Sequence, residues 1–188
     1  RKEIEIYEAK ELNVEYLLNQ NRNLKKFLDS DESLFDENII VAKVLLDKDS
    51  PYIKSVIINR GTKSGILKGM PVLDRDFLIG RVVETNYLSS RILLLNDLNS
   101  RIPVTLGKED TQAIMHGKNG KLPTLTYLPE DFKIQAGLNV YTSGKDQIFA
   151  PGTPIGKTNN DGEVELFAEP SQLSFVKIKF IRQNKEGF

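Results

Sequence analysis

Residues 59–72 read NRGTKSGILKGMPV, with glycines at 61, 65 and 69 and lysines at 63 and 68. Glycine beside lysine raises the question of a phosphate cradle. That loop ends in Gly-Lys-Ser/Thr and opens a helix, and a dinucleotide loop needs Gly-x-Gly-x-x-Gly. Neither spacing occurs here, and the flanks are the short β-rich runs SVII and PVLD. Glycines four residues apart between such runs supply positive φ in tight turns. The stretch reads as a corner of a β protein.

The same grammar extends outward. NIIVAKVLL, FLIGRVVETN, RILLLND and RIPVTL are short apolar or β-branched runs, each closed by turn residues. GKLPTLTYLPED, GLNVYTSG, GTPIGKTNNDGEVELFAEP and SFVKIKFI continue the pattern in the second half. Short strands with turn signals between them predict antiparallel β-barrels or sandwiches, not βαβ units. NNDG, at 159–162, predicts a hairpin with a type I′ turn. FVKIKF alternates Phe175, Lys177 and Lys179 with Val176, Ile178 and Phe180, the pattern of a half-exposed strand able to close a barrel.

The first thirty residues differ in kind, containing neither glycine nor proline. With Tyr7 at heptad position a, Val14, Asn21 and Leu28 fall at later a positions, and Lys10, Leu17 and Leu24 fall at d. A seven-residue seam predicts a left-handed coiled coil, and Asn21 is the polar a residue that favours a parallel dimer in fixed register. An amphipathic helix packed on its own domain is the alternative. The expected organisation is a coiled-coil helix and linker over 1–38, a first β-barrel over 39–109 and a second over 110–188, with strand exchange between the barrels left open.

Composition narrows the function. The 188 residues carry 26 basic and 26 acidic side chains, so no net field draws the chain to nucleic acid or an anionic surface. There is no cysteine, which excludes disulfides and thiolate chemistry. No run approaches the apolar length of a membrane span. The chain opens at Arg1 in mid-helix pattern, as expected of a piece of a longer protein. The only histidine, His116, precedes Asp131 and Ser143 in the chain order of two-barrel serine proteases. Those enzymes draw histidine and serine from different barrels, whereas here both fall in one block, and TSGKD matches no nucleophile loop. No catalytic residue, metal site or cofactor is expected, with a serine-hydrolase-like enzyme as the alternative. In the loop 142–156, Ile148, Phe149 and Pro151 stand between turn residues, either as exposed binding contacts or as a plug for the barrel end. Tyr127 and Leu128 join them as candidates for a partner surface.

The order of these motifs resembles the rod shape-determining protein MreC family over roughly residues 39–181. The glycine corner keeps Gly61, Gly65, Gly69 and Met70, and the following segments keep Gly80, Arg81, Asp97, Ser100 and Pro103. Tyr127, Leu128 and Pro129 match further on, as do Thr142, Ser143, Gly144, Phe149, Pro151, Gly152, Pro154 and Gly156. GKDQIF departs from the family, which carries further glycines there. The resemblance implies a non-catalytic scaffold of the bacterial cell-elongation machinery, anchored in the inner membrane by an upstream helix and placed on its periplasmic side. It implies MreD, RodZ and a class B penicillin-binding transpeptidase as partners. The heptad seam predicts a homodimer, open strand edges could extend it into filaments, and the neutral charge predicts no nucleic-acid partner.

Overall fold

The computed structural model describes residues 2–29, 39–49, 54–119 and 121–180. Helix α1 spans Lys2–Asp29, in line with its lack of helix breakers. It is a compact unit of its own, apart from the β unit that begins at Asn38.

Among its described residues the β unit holds twelve strands. The first five are β1 (Ile39–Asp49), β2 (Lys54–Ile58), β3 (Pro71–Asp74), β4 (Phe77–Thr85) and β5 (Ser90–Leu94). Then come β6 (Arg101–Leu106), β7 (Thr111–Lys118), β8 (Lys121–Thr126), β9 (Asn139–Thr142), β10 (Pro154–Thr158), β11 (Val164–Leu166) and β12 (Phe175–Lys179). One closed barrel has the order β1-β12-β3-β4-β5-β2. The second sheet runs β11-β10-β9-β6-β7-β8, and a bridge between Thr124 and Glu163 joins its ends.

Sheet membership does not follow the division at 109/110. β6 lies wholly in the second sheet, so the chain crosses over between Leu94 and Arg101, and β12 returns to the first barrel. Ile39 to Lys43 of β1 pair with Lys179 to Phe175, which leaves β12 no place in the second sheet. Each barrel fills its own core. Val56, Ile58, Val72, Ile92, Val176 and Ile178 anchor the first, and Val104, Leu106, Met115, Val140 and Ile155 the second. Leu78 and Leu95, from first-barrel segments, are buried in the second core, so the two barrels share a packed wall.

The glycine corner serves two physical needs. Gly65 and Gly69 take φ of 80° and 95°, as turns require. Gly61 keeps a negative φ, and a Cβ there would overlap the carbonyl oxygen of Asn86. Its role is close backbone approach, with Thr62 N–H donating to that oxygen at 2.9 Å.

Two sequence expectations change. The 159–162 segment does make a hairpin, but only Gly162 has positive φ. Asn159 Oδ1 accepts from Asp161 N and Glu163 N, at 2.9 and 3.0 Å, so a side-chain-braced loop replaces the type I′ turn. β12 is not half exposed at Lys177. That side chain is fully buried and reaches Asp76 at 3.4 Å.

Burial, with Lys179 adding repulsion, lowers the Lys177 pKa to about 8 from an ordinary 10.5. Between those values the unfolded chain binds more protons than the folded one, so stability rises with pH across the window. We expect a gain of about 2–3 kcal/mol from pH 8 to pH 10.5 over that of Lys177→Met, measured by urea denaturation. Parallel pH profiles for the two proteins would exclude this account.

Candidate functional site

The helical seam leaves apolar side chains in solvent. Val14 and Leu17 are 55% and 58% exposed, Asn21 is exposed and Leu24 is half-buried. The side chains of Tyr7 and Leu28 lie outside the described residues. Leu12, Tyr16 and Leu18 are exposed as well, so the apolar surface is broader than a strict a/d stripe.

The second-barrel candidates separate. Tyr127 follows the end of β8 with φ of 59° and is 80% exposed, so its ring stands in solvent. Leu128 and Ile148 are half-buried against the second core, and Pro151 is exposed. Phe149 is 4% exposed and belongs to the core itself, which corrects its assignment to a partner surface. The loop's own hydrogen bonds turn it inward. Asp146 Oδ1 accepts from Ile148 N and Phe149 N at 3.1 and 3.3 Å. Thr142 Oγ1 donates to Ala150 O at 2.5 Å and accepts from Thr153 N at 2.9 Å. Both ends of the loop are therefore fixed, and Phe149 plugs the barrel.

Tyr127 and Ile148 meet in a cleft of about 300 Å³ whose walls come from both barrels. Arg81 of β4 enters from the first, and Arg101, Pro103, Ile114 and His116 of β6 and β7 from the second. Sequence reasoning picked out His116 but neither arginine as a cleft residue. Strand alternation carried that signal, because Arg101 and His116 are register partners and share a face.

His116, Asp131 and Ser143 are not brought together by hydrogen bonds. His116 Nε2 is buried with no hydrogen-bond partner, and Ser143 Oγ accepts from Lys145 N at 3.3 Å. Asp131 is exposed beyond β8. Among the described residues no cluster of His, Asp and Glu could hold a metal ion, and no helix is long and apolar enough to cross a membrane.

A helix followed by two small antiparallel barrels with a shared wall defines a mainly β, two-barrel class. The rod shape-determining protein MreC barrel-core model matches residues 44–179. The chain belongs to the MreC family. It is 37% identical over 141 residues to the cell shape-determining protein MreC of Caulobacter vibrioides, covering 73% of this chain and 41% of that relative. The Listeria monocytogenes relative is 32% identical over 166 residues, covering 86% of this chain and 56% of its own length. The chain thus spans only about half the length of these relatives, or less. Among solved structures, one of MreC superposes with a TM-score of 0.74 at 28% identity, covering 87% of this chain and 99% of that one. MreC from Pseudomonas aeruginosa gives 0.68 at 26% identity, with 77% and 100% covered.

Proposed function

We propose that this chain is a scaffold that maintains rod cell shape by self-association through α1 and by binding and activating a class B penicillin-binding transpeptidase. Membership of a shape-determining family over residues 44–179 carries the reading. A solved complex of a penicillin-binding protein, PBP2, with MreC from Helicobacter pylori supports the choice of partner. The periplasmic side of the inner membrane is the proposed location, supported by a solved MreC structure described as its major periplasmic domain. MreD and RodZ are the proposed membrane partners. Activation would arise if the chain binds the transpeptidase's active arrangement more tightly than its inactive one.

Apolar side chains at the surface give the proposal its contacts: the exposed Val14 and Leu17 for the second copy, and the exposed Tyr127 and Pro151 with the half-buried Leu128 and Ile148 for the enzyme. Light scattering of the chain alone and mixed with a transpeptidase periplasmic domain tests both. The chain alone is expected to be a dimer whose assembly state changes with Asn21→Leu. Tyr127→Ala is expected to weaken the mixed complex about tenfold, in line with a buried aromatic anchor. A monomer at every concentration would exclude the dimer, and no mixed species would exclude the enzyme partner.

A further inference from the structure

The cleft between the barrels has an excess of unpaired donors. Among the described residues Arg81, half-buried, and Arg101, exposed, make no ion pair and no side-chain hydrogen bond, and His116 Nε2 is buried without a partner. Arg101 and His116 face each other across the β6–β7 ladder, while their neighbours Ile102 and Met115 turn into the core. Arg81 adds a second guanidinium from the opposite barrel. The cleft has one carboxylate, Asp146, whose Oδ1 is already held by two loop amides. Two positive charges therefore face one negative charge, and the cleft keeps a net positive charge. His116 Nε2 is the buried unpaired atom of the cleft, and leaving it so costs free energy that an incoming partner recovers.

The walls decide which acceptor fits. Pro103, Ile114 and Ile148 are apolar, so a compact inorganic anion would leave them against water. A carboxylate on a methylene stem satisfies both parts, with its head on the arginine forks and its stem against the isoleucines. The volume, about 300 Å³, lies at the small end for ligand pockets and admits one such side chain. Tyr127 also lines the cleft and is largely in solvent, where a peptide backbone carrying that side chain would pass over its ring.

We propose that this interbarrel cleft is a glutamate-binding site. It receives a glutamate side chain from a peptide segment of a protein partner, with Arg81 and Arg101 pairing its carboxylate and His116 donating through Nε2. The site goes beyond the scaffold reading and does not depend on which partner carries the segment.

The test titrates the whole isotope-labelled chain with capped Ala-Glu-Ala and Ala-Gln-Ala peptides, followed by NMR. The glutamate peptide is expected to bind saturably, shifting Ile114, Ile148 and His116, and the glutamine peptide to bind about tenfold more weakly. Arg81→Gln and Arg101→Gln should each reduce glutamate-peptide binding by about the same factor without lowering the melting temperature. Equal affinity for the two peptides, shifts confined elsewhere, or no saturable shift would each overturn the site. Acetate or inorganic phosphate binding as tightly as the glutamate peptide would overturn it too, since an anion alone would then suffice. The peptide comparison on the unaltered chain stands even where a variant misfolds.

Discussion

Asp97→Ala is expected to remove about 3–5 kcal/mol of stability, a large part of what a domain of this size holds. Asp97 is fully buried in the crossover from the first barrel to the second. Its Oδ2 accepts from Lys54 N, the first residue of β2, at 2.7 Å. Its Oδ1 accepts from Asn99 N at 2.7 Å and from Asn99 Nδ2 at 3.0 Å. Its backbone takes part as well, with Ser100 N donating to Asp97 O at 2.9 Å and Gly117 N donating to Ser100 O at 3.1 Å. Gly117 of β7 lies so close that a Cβ there would overlap the Asp97 carbonyl oxygen. One carboxylate therefore fixes the start of a first-barrel strand and the crossover on which a second-barrel strand rests. Alanine removes the carboxylate that the Lys54 and Asn99 N–H groups share, and with it three hydrogen bonds. Asp97→Asn should recover only part of the loss, because its amide nitrogen would oppose one of the two backbone donors. Urea denaturation of the three proteins measures this. An alanine variant within about 1 kcal/mol of the parent would mean that desolvation of the carboxylate cancels its hydrogen bonds.

The importance of Asp97 could not be read from NDLNS as a string, where Asp before Leu-Asn-Ser looks like an ordinary turn residue. Turn residues and strand runs are local signals. The alternation in RIPVTL and the glycines at 61, 65 and 69 expose the β architecture because they act within a few residues of themselves. Pairing between β1 and β12 joins segments more than a hundred residues apart, and no local pattern records it. Lys177 follows the same logic. Alternation in FVKIKF predicts a solvent-facing lysine, but the return of β12 between β1 and β3 places it in a buried position. The cleft is legible in part. His116 is conspicuous as the only histidine, whereas Arg81 and Arg101 become neighbours only once two barrels are packed together. The helix α1 itself is legible, since a run without glycine or proline needs no tertiary partner to be seen.

Phe149→Ala is expected to cost about 3–5 kcal/mol, the range for truncating a large aromatic side chain in a packed core. Phe149 and Tyr127 look alike in the sequence, each an aromatic residue near proline in a turn-rich segment. The structure sets them on opposite sides of the barrel wall, with Phe149 4% exposed and Tyr127 80% exposed. The loop around Phe149 is held by Asp146 and Thr142 whether or not the ring is present, so it has little freedom to collapse into the space left behind. An unrelaxed cavity is the costly kind. Tyr127→Ala keeps the same backbone φ and removes a ring that fills no core, so its stability should stay within about 0.5 kcal/mol of the parent. The pair thus predicts a crossed result in two measurements. Thermal unfolding should single out Phe149→Ala, while partner binding, scored per folded molecule, should single out Tyr127→Ala. A Phe149 variant that melts like the parent but binds poorly would return that residue to the partner surface and leave the second barrel without its plug.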